Sequence, residues 1–308
     1  MTYATKARTL DDIAAGRHVF SIIAMDQRNT LRRMFTAVGL DASDDDLRVA
    51  KADVARVLTP AASGLLSDPT YGVPAITEAK ALAPDCGLLV AAEPAERRSY
   101  HGEPRTHRDP ALDAQWVLDQ GGDALKFFVQ LRADRPAPAP GEPDLAAEAL
   151  AVCDEIIRDC RATGVPVVIE NLVYARPGED LHGQAREDAI IEAARALDDL
   201  DIDLLKLEYP GSPEGCRRLA AILHRPWAVL SAGVPFDQFT DIIRIAAEEG
   251  GASGFIAGRS VWREVVGLAE PHREEFLTTV ALPRLERLIE VAEHRARPWT
   301  EATRPSAL

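Results

Sequence analysis

No stretch of this 308-residue chain approaches the ~20 consecutive apolar residues that a membrane-spanning helix needs. Residues 1–16 are polar and lack the apolar segment of a secretory signal. Cysteine is sparse: Cys86, Cys153, Cys160 and Cys216 form no CxxC pair and show no metal-ligand spacing with the histidines. They read as reduced thiols, so neither a disulfide framework nor a metal centre is expected, and a soluble cytoplasmic protein is. Positive charge is in deficit, with 35 Lys and Arg against 49 Asp and Glu for a net charge of −14. That balance argues against nucleic acid or an anionic membrane as the partner. It does not exclude an anionic small substrate, which a few local cations suffice to bind.

Lysine is the most telling shortage. Only five of the basic residues are lysine (Lys6, Lys51, Lys80, Lys126 and Lys206), and two of those sit inside apolar runs. Lys126 lies in Ala124-Leu125-Lys126-Phe127-Phe128-Val129 and Lys206 in Leu204-Leu205-Lys206-Leu207. A buried ammonium is costly unless paired or deprotonated, and a desolvated lysine amine can form a Schiff base where an arginine cannot.

Eight short apolar runs recur, at residues 21–25, 64–68, 87–93, 124–130, 165–171, 204–210, 227–233 and 254–259. Runs apolar on both faces suit parallel strands covered by helices. The segments between them carry helical periodicity, as in residues 145–162 and 236–249. Eight β-then-α units predict an α/β fold, a (β/α)8 TIM barrel occupying residues 1–308 as one domain. Extra helices are expected at both ends, over residues 9–15 and 273–296. A doubly wound open sheet would want a glycine-rich fingerprint after its first strand, and Asp26-Gln27-Arg28 stands there instead. The proline-rich residues 132–142 read as a surface excursion.

Barrel enzymes keep their chemistry at the carboxyl ends of the strands. All eight runs end in or carry polar groups: Asp26, Asp68, Glu93, Gln130, Glu170 with Asn171, Lys206 with Glu208, Ser231, and Arg259 with Ser260. The last two strands carry Leu230-Ser231-Ala232-Gly233-Val234 and Ala257-Gly258-Arg259-Ser260-Val261-Trp262. Glycine turns there let backbone N–H groups approach an anion, and Arg259 adds a charged fork, so Ser231, Gly233, Gly258 and Arg259 predict a phosphate site. By strand alternation Lys206 shares a face with Glu208, its expected partner, and Lys126 two strands away is placed to lower the Lys206 pKa by like-charge repulsion. Glu170, on the intervening strand, is placed as general acid or base.

These motifs, together with Ala24-Met25-Asp26-Gln27-Arg28 and Ser67-Asp68-Pro69-Thr70-Tyr71-Gly72, resemble the class I aldolases of the tagatose-1,6-bisphosphate aldolase family, which includes the sulfofructosephosphate aldolases. The resemblance runs in order from about residue 8 to residue 295. It implies a Schiff base on Lys206, Glu170 as the acid/base residue, and retro-aldol cleavage to dihydroxyacetone phosphate and an aldehyde, with no metal and no cofactor. Asp26, Gln27 and Arg28 are then expected at the substrate hydroxyls or distal anion, and Lys126 beside the catalytic pair. The substrate would be a phosphorylated ketose of the tagatose 1,6-bisphosphate or 6-deoxy-6-sulfofructose 1-phosphate type, and the assembly a homo-oligomer. A phosphosugar isomerase using Glu170 as enolising base, or a non-catalytic sugar-phosphate sensor, would share much of this residue set.

Overall fold

The computed structural model describes residues 8–302; Lys6 and the outermost residues of the predicted 1–308 domain lie outside them. Eight parallel strands close into a ring: β1 (Phe20–Met25), β2 (Gly64–Ser67), β3 (Gly87–Ala91), β4 (Ala124–Val129), β5 (Val167–Asn171), β6 (Leu204–Leu207), β7 (Trp227–Leu230) and β8 (Gly254–Ala257). Each strand pairs with its sequence neighbours, and β8 returns to β1 through Phe20↔Gly254 and Ile23↔Ala257. This is a TIM barrel. Each of the eight predicted runs coincides with one strand; β1 and β5 end where their runs end, and the other six strands stop earlier, where the chain peels off the ladder.

Every residue of the barrel strands except Phe128 is buried, as a sheet covered on both faces requires. Alternate residues point inward and stack in layers. Ile22, Ala24, Leu66, Leu89, Ala91, Ala124, Val168, Leu204, Ala228 and Ile256 form one apolar interior cluster. A 3₁₀ turn at Leu10–Ile13 plugs the amino-terminal end, its Leu10 and Ile13 joining that cluster. The plug sits against Gly87, where a Cβ would lie 2.1 Å from the Asp12 carbonyl oxygen. The other face of the sheet packs on the surrounding helices in a second, larger cluster.

Among those helices, α1 (Asn29–Ala37) and α2 (Asp44–Leu58) both fall in the first βα segment, and α3 (Gly72–Glu78) follows β2. Ser43 begins α2 with a capping box to Asp46. Further round the ring, α4 (Ala114–Asp119), α5 (Leu145–Thr163), α6 (Gly183–Asp198), α7 (Pro213–Ala220) and α8 (Phe236–Gly250) cover the sheet. The chain then runs through α9 (Arg259–Trp262), α10 (His272–Phe276) and α11 (Leu282–Arg295).

Two features depart from expectation. Between β3 and α4 the chain makes a small antiparallel hairpin, Arg98–Tyr100 with Glu103–Arg105, turning through His101 and Gly102, both at positive φ. The segment after β4 does not start as a surface excursion: Arg132 is 2% exposed and donates to Asp134, Glu179 and the Tyr174 carbonyl. Glu103 pairs with Arg135 and accepts from the Tyr174 hydroxyl, so the loops following β3, β4 and β5 are tied to one another.

Candidate active site

The inward alternation that stacks the apolar layer continues, at the carboxyl end, into charge. Two residues beyond Ala24, Ala91, Ala124, Val168 and Leu204 stand Asp26, Glu93, Lys126, Glu170 and Lys206. The parallel register sets Glu170 directly opposite Lys206 and Phe128 opposite Glu170. Lys126, Glu170 and Lys206, on β4, β5 and β6, thus meet Asp26 and Glu93, which lie just past β1 and β3, in one charged cluster.

Lys126 Nζ lies 2.9 Å from Asp26 Oδ2, 2.8 Å from Glu93 Oε1 and 2.7 Å from Glu170 Oε2. Burial opposes its charge, but Asp26, Glu170 and Glu93 more than offset burial and raise its pKa above the ordinary lysine range. Lys126 is therefore an ammonium at neutral pH. The second oxygen of Glu170, Oε1, is 3.0 Å from Lys206 Nζ. Burial would raise the Glu170 pKa; the two lysines outweigh it and hold the carboxyl below its ordinary range, and Asp26 is held down in the same way. Gln27 donates to Asp26 Oδ1. Glu93 Oε2 and Gln27 Oε1 are buried and have no hydrogen-bond partner among the described residues.

Glu208 is not the partner of Lys206. The strand ends at Leu207, and Glu208 instead accepts the Val173 N–H at 2.7 Å and pairs with Arg186. Burial pushes its pKa up against those two contacts.

Two adjoining cavities open on this cluster. One, of about 140 Å³, is lined by Lys206, Glu208, Ser231, Ala232, Gly258 and Arg259 among others. The other, of about 290 Å³, is lined by Asp26, Arg28, Arg33, Glu93, Arg97 and Lys126 among others. Gln27, Glu170, Leu172 and Arg259 line both. Arg259 is half-buried and its guanidinium makes no hydrogen bond or ion pair with a protein group among the described residues; burial and the neighbouring Arg263 lower its pKa. Ser231 Oγ accepts from the Gly258 N–H at 3.4 Å. Gly233 stands at φ +80°, where a Cβ would come 3.3 Å from Arg259 Cζ, and its carbonyl accepts from Arg263. The structure thus gathers Lys126, Glu170, Lys206, Asp26, Gln27, Arg28, Ser231, Gly258 and Arg259 around two joined cavities, with Gly233 packed behind Arg259.

Phe128 shares the inward face with Lys126 by strand alternation, as expected, and also lines the larger cavity. Arg33, Arg97 and Leu172 were not among the expected site residues. Arg97 lies on an exposed loop, with its guanidinium 4.4 Å from the Phe128 ring centroid, and only the folded chain brings it near. Leu172 lies just past β5 on the wall shared by the two cavities.

Residues 20–264 match the family model described as DeoC/LacD family aldolase. The chain belongs to this family. It is accordingly an aldolase, a lyase by reaction class. The tagatose 1,6-diphosphate aldolase 2 of Streptococcus agalactiae serotype III (strain NEM316) is 28% identical over 331 residues, spanning 96% of this chain and 98% of the relative. The tagatose 1,6-diphosphate aldolase of Lactococcus lactis subsp. lactis is 27% identical over 333 residues, with the same coverage. Among solved structures, an archaeal fructose-1,6-bisphosphate aldolase with its catalytic lysine covalently bound to a carbinolamine intermediate shares the fold. Its TM-score is 0.61 at 17% identity, covering 92% of this aldolase and 99% of that chain. The fructose-bisphosphate aldolase from Slackia heliotrinireducens DSM 20476 gives a TM-score of 0.60 at 17% identity, with 94% of each chain covered.

Proposed function

We propose that this aldolase works through a Schiff base on Lys206 and cleaves a phosphorylated ketose to dihydroxyacetone phosphate and an aldehyde. The observation that carries the reading is the division of labour between the two buried lysines. Both line a cavity, but Lys126 is locked as an ammonium by three carboxylates, whereas Lys206 has one carboxylate neighbour, Glu170. A nucleophile needs a free electron pair and access to the substrate, and Lys206 is the lysine with a route to both.

Lys206 passes its proton to Glu170 Oε1 and attacks the C2 carbonyl; loss of water from the carbinolamine leaves an iminium. Glu170, ionised again, removes the proton from the C4 hydroxyl. The C3–C4 bond breaks, the aldehyde departs, and the bonding electrons pass to the iminium nitrogen as an enamine. Glu170, now protonated, delivers that proton to C3 of the enamine and is ionised again, and hydrolysis of the resulting iminium by water releases dihydroxyacetone phosphate and the free lysine. Lys126 orients Glu170 throughout and keeps its carboxyl ionised, the state a base requires.

Arg259, Ser231 and the glycine turns at Gly233 and Gly258 would hold the C1 phosphate beside Lys206. Glu93 Oε2 and Gln27 Oε1, both without partners, suit donation from sugar hydroxyls, with Asp26 bracing Lys126 behind them. Arg28, Arg33 and Arg97 at the wall of the larger cavity suit a second anion, phosphate or sulfonate. The names of the relatives support a tagatose 1,6-bisphosphate substrate, and a 6-deoxy-6-sulfofructose 1-phosphate would meet the same arginines.

Borohydride reduction in the presence of dihydroxyacetone phosphate should add mass to the peptide carrying Lys206. Lys206→Arg should abolish both labelling and cleavage. Label on Lys126 would overturn the assignment. A panel of fructose and tagatose bisphosphates, sulfofructose phosphate and C6-neutral monophosphates identifies the ketose.

A further inference from the structure

A second fully buried ion pair lies outside the barrel interior, and the reaction makes no use of it. Lys51 on α2 and Asp68 after β2 both have side-chain exposures of 0%, with Nζ and Oδ2 2.7 Å apart. Leu47, Lys51, Val54 and Leu58 form the helix stripe that faces the sheet, and each is buried. A leucine at position 51 would continue that stripe, and replacing buried ion pairs with apolar groups is often neutral or stabilising. A lysine there calls for another explanation, and its remaining contacts supply one. Nζ also donates to the carbonyl of Met25 at 2.5 Å and to that of Gln27 at 2.9 Å.

Those two carbonyls bracket Asp26. Asp68 in turn accepts from the N–H groups of Thr70, Tyr71 and Gly72 leading into α3, so the cation is anchored to a carboxylate that is itself held by backbone hydrogen bonds. On the preceding residue, the Ala24 carbonyl accepts from Trp262 Nε1 at 3.0 Å. The chain leaving β1 is therefore pinned at residues 24, 25 and 27, and between the pins the Asp26 side chain reaches across the mouth to Lys126.

We infer that Lys51 is a positioning residue for the reaction: anchored by Asp68, it fixes the backbone on either side of Asp26 and so sets the Asp26–Lys126–Glu170 chain that aims Glu170 at Lys206. The inference rests on the Schiff-base reading above. A residue acting this way touches neither substrate nor Lys206; its loss displaces a carboxylate by a fraction of an ångström to an ångström, and errors of that size in catalytic geometry can cost on the order of 100-fold.

The assay is the half-reaction on dihydroxyacetone phosphate: exchange of its C3 proton for deuterium in D2O, expressed per borohydride-trappable site. Wild-type enzyme that neither traps an imine nor exchanges the proton would sink the Schiff-base reading itself, a result distinct from any concerning Lys51. With wild-type active, Lys51→Met should slow exchange roughly 10- to 100-fold while Lys206 remains trappable. In an Asp26→Asn background the same substitution should cost less than about threefold, because the group it positions is already neutral. Lys51→Met/Asp68→Asn serves where the single variant leaves an uncompensated carboxylate and folds poorly, with the same loss expected. An equal loss in both backgrounds, or a fall in melting temperature with wild-type exchange per site, would overturn the inference.

Discussion

Lys126→Met removes the one cation shared by three carboxylates, and its consequences follow from distances alone. Asp26, Glu93 and Glu170 each place an oxygen within 2.9 Å of the Lys126 nitrogen, so those oxygens lie no more than ~6 Å from one another. At an effective dielectric near 20, each pair of unit charges at ~5 Å repels by about 3 kcal/mol, or roughly two pKa units. The variant cannot keep all three ionised in a buried layer. At least one takes a proton, and removing one partner from such a buried ion cluster costs about 3–5 kcal/mol of stability. In the wild type, Asp26 and Glu170 have depressed pKa values in the folded state. Their stabilisation is present above the unfolded-state pKa near 4 and is lost as pH falls through the lower folded value. In the variant the sign reverses: a folded pKa above 4 means stability lost as pH rises toward that value. The stability difference between the two proteins should therefore be largest near pH 7.5 and shrink toward pH 4.5, changing by up to about 1.4 kcal/mol per pH unit for each proton involved. Urea unfolding at four or five pH values measures it. Cleavage at pH 7 should fall by at least ~100-fold, the scale of a lost general base, while borohydride still labels Lys206. A stability difference that stays constant across that pH range would refute the reading of Lys126 as the shared counter-charge.

Arg259→Ala should lower kcat/KM for a phosphorylated ketose roughly 10- to 150-fold, the equivalent of ~1.5–3 kcal/mol for a charge-assisted hydrogen bond. Imine formation with dihydroxyacetone, which lacks the phosphate, should be unaffected; a wild-type rate on the phosphorylated ketose would mean that the anion binds elsewhere. Gly233→Ala places a Cβ at φ +80° and 3.3 Å from the Arg259 guanidinium carbon, so about 1–2 kcal/mol of stability should be lost and KM should rise. An unchanged KM would separate Gly233 from the phosphate site. Overnight EDTA should leave cleavage intact, and a loss restored by Zn²⁺ would overturn the Schiff-base mechanism.

How much of this could be read from the chain depends on whether the signal is periodic or spatial. The eight strands were legible because a sheet covered on both faces spells itself as short apolar runs, and the runs stand apart at βα spacing. Lys206, Lys126 and Glu170 were legible for the converse reason: a charged residue inside such a run demands an explanation. The triple contact of Lys126 was not, since Asp26, Glu93 and Glu170 come from β1, β3 and β5 and meet only on closure. Alternation misled at Glu208, which lies one residue past the end of β6; once the ladder stops, the chain turns and the carboxylate finds Arg186. The hairpin at residues 98–105 was missed because its strands have three residues each and no buried stripe, leaving the His101-Gly102 turn as its only trace. Lys51 carried the same anomaly as the two barrel lysines, a charge on an apolar stripe, and its meaning depended on which carbonyls the helix was laid against.

The ring closes only when its last strand meets its first, and Phe20 and Gly254 are separated by about three-quarters of the sequence. Gly254 fits that seam because a Cβ there would fall 2.0 Å from the Phe20 carbonyl oxygen. During synthesis, β1 emerges early and must keep an unpaired edge until β8 arrives, and β7 holds the matching edge at the other side of the gap. Long-range pairing of this kind is slow, and unpaired parallel edges recruit other chains. A fragment ending near residue 250 would thus present two sticky borders and lack Gly258 and Arg259. For this enzyme the step that seals those edges is the same step that first brings β8, with Gly258 and Arg259 behind it, to Lys126 and Lys206.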